Sequence, residues 1–474
     1  MSKLLIGREE ELALVKKLYE EDRPAFLVIY GRRRVGKTFF VKCALGDCFS
    51  FYTTGLYNVG TKEQLIAFHA ALNEYAEGGD DLPIAENWFE AFIQLMNIVK
   101  KMGAGKKVLF FDELPWMDTP KSGFLTALEY FWNTFASSRG DILLIVCGSA
   151  ASWMLNKLIF SIGGLYNRVT HRIHMLPFTL RETATFLRAR NGAFDNYQIL
   201  QLYMVMGGIP YYLNDVDVSL SVAQNINNLA YKRGGKLSSD FEGLYRSLFK
   251  SEIQHIAIIR ALAEKNKGLT RDEIAHLTKL GSGGTLTRIL AELEACNFIR
   301  KYRSFGKKKY GHLYQLVDFY SLFYLKFIDG VSIDDENLWN TGIGHPSVRA
   351  WSGYAFELVG LMHIADIKRG LKIEGVRSES SSWMGVWDGE KAQIDMIIDR
   401  RDHVINLCEF KFSLDPYVVD KSYAEVLRRK RRVFKGSTNT TKALYTTLIT
   451  PYGVKSNSHS LAVIQNELTM DVFF

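Results

Sequence analysis

An α/β fold built on a parallel sheet is predicted for the N-terminal part of this chain, and three observations predict it. Strand and helix patterns alternate from residue 5 to residue 180. The strand candidates are short, continuous apolar runs, as expected of central strands covered on both faces. Between one of these runs and the helix after it lies a glycine-rich turn, Gly31-Arg32-Arg33-Arg34-Val35-Gly36-Lys37-Thr38, which fits GxxxxGK[ST].

Taken in order, Glu9 to Tyr19 reads as an amphipathic helix and Phe26 to Tyr30 as a buried strand. Val108 to Phe111 and Ile142 to Val146 are two further strands. From about Arg181 to Phe249 the pattern is helical only. Residues 251 to 335 form a smaller unit: a helix from Ile253 to Ala263, a second opened by Thr270-Arg271-Asp272-Glu273 with capping-box spacing, and a third from Thr285 to Glu294. Two strand-like pieces follow, Phe298 to Arg303 and His312 to Leu316, joined by Gly306-Lys307-Lys308-Lys309. Three helices and a hairpin spell a winged helix-turn-helix. A last unit runs from about Gly342 to Phe474.

The chain has 474 residues, which suggests about three domains at roughly 150 residues each. With 47% hydrophobic and 23% charged residues it has the balance of a globular protein. The net charge of +8 permits contact with nucleic acid without demonstrating it. The cysteines, Cys43, Cys48, Cys147, Cys296 and Cys408, have neither CxxC nor zinc-finger spacing, so a reduced cytoplasmic setting is expected. Met1 to Arg8 has no apolar signal-peptide core, and no apolar run approaches the ~20 residues that span a bilayer. No membrane partner is expected.

The glycine-rich turn is a P-loop by composition and context. Glycines let backbone N–H groups wrap phosphates at a helix N-terminus. Gly31, Arg32, Arg33, Arg34, Val35, Gly36, Lys37 and Thr38 are therefore expected to cradle ATP, with Lys37 on the β/γ-phosphates and the Thr38 hydroxyl on Mg²⁺. Val108-Leu109-Phe110-Phe111-Asp112-Glu113 ends an apolar strand in two carboxylates, at the edge where α/β sites lie. Asp112 is expected to hold Mg²⁺ through water, and Glu113 to orient and deprotonate the attacking water. Ser149, after the next strand, is placed like a hydroxyl that senses the γ-phosphate. Arg168 and Arg172 are candidates for a finger that stabilises transition-state charge, in cis or from a neighbouring subunit of a homo-oligomer. Ordinary surface arginines are the competing reading.

Ile6-Gly7-Arg8-Glu9-Glu10-Glu11-Leu12, the arginine-rich P-loop, Asp112-Glu113-Leu114-Pro115-Trp116, Leu176-Pro177-Phe178 and Gly207-Gly208-Ile209-Pro210 together resemble the prokaryotic archaeal-type ATPase family, of the AAA+/STAND-like branch. The resemblance covers the N-terminal two-thirds. It implies a helical lid at Arg181 to Phe249, places Gly207-Gly208 near the nucleotide, and suggests a C-terminal domain similar to PD-(D/E)xK nucleases. The expected architecture is an α/β P-loop NTPase parallel sheet (1–180), a helical lid (181–250), a winged helix-turn-helix (251–335) and a C-terminal α/β nuclease-like domain (342–474).

The residues of the last unit bear on that suggestion directly. Trp351 to Ile364 reads as a helix with Glu357 off its apolar stripe. Gln393 to Ile398 and Val404 to Ser413 read as a hairpin centred near Asp402. Asp395 then lies opposite Glu409. Alternation puts Asp395, Glu409 and Lys411 on one face, and Ile394, Met396, Cys408, Phe410 and Phe412 on the other. Opposed carboxylates repel, and a shared Mg²⁺ that activates water against a phosphodiester would relieve them. The set resembles the PD-(D/E)xK pattern, with Glu357, Asp395 and Glu409 as metal ligands and Lys411 beside the water. Ile394 stands where the pattern has proline. An inactive relative, or solvated strand charges, fits the same residues.

Arg428-Arg429-Lys430-Arg431-Arg432 and the lysines at 307–309 sit where DNA phosphates would fall if a duplex lay across these units. Such contacts position without reading sequence. The expected function is an ATP-driven protein acting, mostly non-specifically, on double-stranded DNA. A nucleotide-dependent signalling switch and a non-cleaving DNA-binding regulator are the alternatives.

Overall fold

The structure, a computed structural model, describes residues 5–46, 48–76, 82–160, 167–249, 251–306, 312–331, 337–342 and 344–474. It falls into two compact units. One holds Met1–Pro177, Ser247–Lys250 and Ala291–Asn297; the other holds Phe178–Arg246, Ser251–Leu290 and Phe298–Phe474.

The first unit is built on β1 (Ala25–Tyr30), β2 (Phe49–Thr54), β3 (Lys107–Asp112), β4 (Ile142–Gly148) and β5 (His171–His174). They form one parallel sheet in the order β2-β3-β4-β1-β5. Every residue of β3 and β4 is buried, which is why both read as unbroken apolar runs. On one face Phe111 packs with Phe51, Phe68 and Phe92. Each such burial contributes about 1.5–3 kcal/mol. The edge strands β2 and β5 escape the sequence reading because Phe49-Ser50-Phe51 and His171-Arg172-Ile173-His174 mix polar and apolar residues.

The second unit begins all-helical, as expected. Capping boxes at Thr179, Asp195 and Ser221 open the helices Leu180–Ala189, Asn196–Met206 and Val222–Ala230. Gly208 packs so closely on this stretch that a Cβ there would fall 1.8 Å from the Phe178 carbonyl oxygen. The helices Glu252–Ala263, Arg271–Thr278 and Gly284–Ala295 follow, the second opened by the anticipated Thr270/Glu273 box. β6 (Leu269–Thr270), β7 (Ile299–Arg303) and β8 (His312–Leu316) form an antiparallel sheet in the order β6-β8-β7. The lysines at 307–309 lie outside the described residues.

The C-terminal stretch contributes β9 (Ser378–Trp387), β10 (Glu390–Arg400), β11 (Val404–Phe410), β12 (Ala443–Ile449) and β13 (Asn466–Leu468), in the order β13-β12-β11-β10-β9. β9 to β11 are antiparallel, and β12 and β13 join in parallel. The helix Lys421–Thr438 packs Val433 and Phe434 on Ile397, Ile405 and Leu407. On β11, Phe410 meets the helix Pro346–Met362, whose Gly360 leaves room for the ring: a Cβ there would fall 2.0 Å from Phe410 Cε1. Ile394 joins the cluster of Ile397 and Leu407 instead of facing the other way with Met396, because the β9–β10 register shifts between Ile394 and Ile397. Among the described residues no helix is long and apolar enough to cross a membrane.

Candidate functional site

β1, β4 and β3 lie side by side and run parallel, so their carboxyl ends deliver three loops to one edge. After Tyr30 the chain turns through Gly31 (φ 148°) and Gly36 (φ 88°) into the helix Lys37–Leu45. Gly31 is constrained twice. Its φ favours glycine, and a Cβ would fall 2.2 Å from the Met175 carbonyl oxygen. Lys37 is buried, with Nζ donating to the carbonyl oxygens of Gly31 (3.0 Å) and Arg32 (2.9 Å). The ammonium thus rests on its own loop's carbonyls. Arg33 lies over the Trp116 ring at 5.8 Å, and Trp116 meets Tyr57 edge-on at 5.4 Å.

Asp112 closes β3 and is buried. Thr38 Oγ1 donates to its Oδ2 at 2.7 Å, and the Glu113 N–H donates to its Oδ1 at 3.0 Å. Glu113 takes a left-handed backbone (φ 45°), a conformation usually found where tertiary contacts enforce it. Its Oε2 accepts from both the Ser149 N–H (3.1 Å) and the Ser149 Oγ (2.8 Å). Gly148 lets this happen: a Cβ there would meet the Pro115 ring at 2.7 Å. The structure therefore brings Gly31, Arg32, Arg33, Arg34, Val35, Gly36, Lys37 and Thr38 to the same edge as Asp112, Glu113 and Ser149. The donor set, one hydroxyl and one carboxylate already in contact, fits a hard divalent cation such as Mg²⁺.

Arg168 is not brought there. Thr170 bonds to Phe26 at the start of β1, so Arg168 lies at the amino edge of its own sheet, roughly 20 Å along the strand from the P-loop. It is exposed. A finger acting in cis is excluded for Arg168. Arg172, paired with Val28 in mid-strand, approaches Phe160 instead.

Residues 5–216 match the family of ATPase domains found predominantly in Archaea. The chain carries an archaeal-type ATPase domain. It is also 22% identical over 438 residues to an uncharacterized protein of Methanocaldococcus jannaschii, covering 91% of this chain and 92% of that one. A shorter match to an uncharacterized ATP-binding protein of the same organism is 38% identical over 39 residues, 8% of this chain and 66% of that protein. Among solved structures the chain is similar to a Walker-type ATPase of Pyrococcus abyssi, with TM-score 0.50 and 18% identity over 68% of this chain and 96% of that one. That likeness shows the fold.

The second unit contains the other acidic group. Met396 pairs with Cys408, and Asp395 and Glu409 are the next residues along their strands beyond that pair. The Phe410 N–H donates to Asp395 Oδ2 at 3.1 Å. Helices on both sides of β11 leave Glu409 only 2% exposed, in contrast to a solvated strand face. Burial, reinforced by the charge of Asp395, pushes its carboxyl up to about 7. Glu357, on the helix Pro346–Met362, is pushed up to about 8 by burial and then by Asp395 and Glu409, with Arg300 and Lys430 opposing. Arg300 is held by Gln315, whose amide donates to Tyr354 Oη.

Lys411 Nζ lies 4.8 Å from the Tyr423 ring centroid, and its charge opposes the rise at Glu409. The partner of Glu409 Oε2 is Lys430, a residue read from sequence as part of an outer basic face. Among the described residues Glu409 Oε1 is buried without a hydrogen-bond partner, as is Tyr423 Oη. Orphaned carboxylate oxygen and three acids suit a divalent cation chemically. Yet among the described residues no group of three or more His, Cys, Asp or Glu is placed to hold a metal ion. Glu357, Asp395 and Glu409 interact as charges without forming a ready ligand set.

Proposed function

We propose that this chain is a Mg²⁺-dependent ATPase that acts on double-stranded DNA. The observation that supports the catalytic half is the paired contact of Thr38 with Asp112 and Ser149 with Glu113 at one sheet edge. Backbone N–H groups of Gly31 to Lys37 and the helix N-terminus bind the phosphates. Lys37 exchanges its two carbonyl partners for the β/γ-phosphates. Thr38 and Asp112 would hold Mg²⁺, which supplies charge neutralisation between those phosphates. Glu113 orients the attacking water and takes its proton at Oε, while Ser149 sets where that carboxylate points.

The DNA half is supported by the three helices and hairpin of residues 252–316, read as a winged helix-turn-helix, and by the exposed Arg428, Arg429 and Arg431 of the helix Lys421–Thr438. The C-terminal domain is read as nuclease-like, with Glu357, Asp395 and Glu409 toward Mg²⁺ and Lys411 toward the reacting water. A second reading, a nucleotide-dependent switch or regulator that does not cleave, is favoured by the Lys430–Glu409 pair. In a homo-oligomer, Arg168 would serve a neighbour's site.

ATP turnover measured with and without duplex DNA, at low and high salt, tests the main reading. Stimulation that fades with salt is expected. No DNA affinity at low salt would leave only the switch. Metal-dependent nicking lost in Asp395→Ala and Lys411→Ala would separate cleavage from binding.

A further inference from the structure

The helix Thr61–Tyr75 packs Phe68 on Phe111 of β3. Its buried side chains are Gln64, Leu65, Phe68 and Leu72, so an amide takes a place on an otherwise apolar stripe. Gln64 is only 2% exposed. A buried amide needs partners, and this one finds them on two loops. Its Oε1 accepts from the Leu56 N–H at 3.0 Å. Its Nε2 donates to the Leu56 carbonyl oxygen at 2.7 Å and to the Trp116 carbonyl oxygen at 2.8 Å. Leu56 follows β2, and Trp116 follows β3, three residues beyond Glu113.

Those two loops meet at Glu113. Thr54 pairs with Asp112, and the Gly55 N–H donates to the Asp112 carbonyl oxygen at 2.9 Å. A Cβ on Gly55 would fall 2.6 Å from the Glu113 carbonyl oxygen, so the loop after β2 runs directly against the Glu113 turn. That same carbonyl accepts from the Trp116 N–H at 3.0 Å. The turn from Glu113 to Trp116 is thus closed by its own bond and tied to the neighbouring loop by Gln64. Glu113 needs such support, because a left-handed backbone at a residue other than glycine (φ 45°) persists only where its surroundings impose it. Ser149 holds the tip of the Glu113 side chain, and Gln64 holds the far end of the turn that carries it.

We propose that Gln64 is a positioning residue for Glu113: by tying the Trp116 carbonyl to Leu56, it fixes the turn from which the Glu113 carboxylate reaches the attacking water. This rests on the reading of Glu113 as the base. The bonds of Gln64 go to the backbone of Leu56 and Trp116 and not to the P-loop, so the hold on ATP does not depend on them. The rate of hydrolysis does, because a base displaced by about 1 Å can lose about 10²-fold. An apolar side chain at this position would leave the Leu56 N–H and two carbonyl oxygens without their donor or acceptor, and the turn would relax to find others.

ATP affinity and single-turnover hydrolysis of the full chain with Mg²⁺, compared in the parent, Gln64→Met and Gln64→Glu, each with Glu113 intact and with Glu113→Gln, test this. Both Gln64 variants should bind ATP within about twofold of the parent and hydrolyse bound ATP about 10–100-fold more slowly. With Glu113→Gln already present, the same substitutions should slow the residual rate by less than about twofold, because the group they misplace is no longer a base. A general weakening of the fold would lower both rates alike. Gln64→Glu keeps the length and the acceptor for the Leu56 N–H while losing the donor to Trp116, and it carries the test if Gln64→Met does not fold. Parent-like hydrolysis in folded Gln64 variants, an equal loss in both backgrounds, or a loss confined to ATP affinity overturns the proposal and leaves Glu113 as the base. Parent-like hydrolysis in Glu113→Gln overturns that reading and the proposal together.

Discussion

Asp112 and Glu113 in the first unit, and Glu357, Asp395 and Glu409 in the second, are two acidic groups whose charge is handled in opposite ways. In the first, neutral donors do the work: the Thr38 and Ser149 hydroxyls and two backbone N–H groups. Neutral donors can be released one at a time to an incoming phosphate or cation. In the second, acids are buried beside one another and opposed by full positive charges: Lys430, paired with Glu409, together with Arg300 and Lys411. The first arrangement leaves its carboxylates open to a ligand; the second already meets its own charge with the protein's cations. Sequence motifs of similar acidity can thus differ in readiness, and burial decides which is which.

The largest effect expected lies in the first group. Glu113→Gln should bind ATP normally and lose turnover by about 10²–10⁴-fold, whereas Lys37→Ala should lose binding as well. Full turnover in Glu113→Gln would remove its role as base. The contrast in stability comes next. In urea without divalent cations, Lys430→Ala should cost about 3 kcal/mol, since it strands a buried carboxylate. Thr38→Ala should cost only about 1 kcal/mol. Equal costs would break the comparison.

The pH response sharpens it further. Glu357 and Glu409 titrate above the ordinary carboxylate range when folded, at about 8 and about 7. The folded state therefore holds protons that the unfolded state has released. Their stabilisation is complete below the ordinary carboxylate range and is lost as pH rises toward 8. His363 acts in the other direction. It is buried, with Nε2 accepting from the Leu180 N–H at 3.1 Å and Nδ1 2.8 Å from the Val359 carbonyl oxygen, and burial lowers its pKa. Stability is lost there as pH falls below the ordinary histidine range. Thermal melts across pH should show both slopes, with Glu357→Gln and Glu409→Gln flattening only the alkaline one. The smallest effect expected is that of Arg168→Ala, which should leave the turnover of dilute protomers unchanged. A loss that persists on dilution would contradict its position at the far edge of the sheet.

How far these sites could be read in advance follows from how local their determinants are. The P-loop lies within eight consecutive residues between a strand and a helix, and Asp112-Glu113 ends a strand apolar enough to recognise. The nearness of Asp395 to Glu409 was legible because one short turn joins their strands. What was not legible depended on distant chain. The amino-edge position of Arg168 depends on β5 pairing with β1 across more than a hundred residues. The burial of Glu409 depends on helices from either side of it in sequence. Lys430 was masked by its charged neighbours, although its spacing from Leu427 and Phe434 was a usable signal.

One contact in the first unit has a practical value for watching the molecule work. Arg33 belongs to the loop expected to wrap phosphate, and its guanidinium lies over the Trp116 indole, which also touches Tyr57. Phosphates arriving on the loop would draw that cation away and change the field across the ring. In a variant retaining Trp116 as its sole tryptophan, adding ATP should alter the fluorescence emission, and Arg33→Ala should remove most of the change. The indole then serves as an optical gauge of loop occupancy, readable in real time and before any bond to phosphorus is broken.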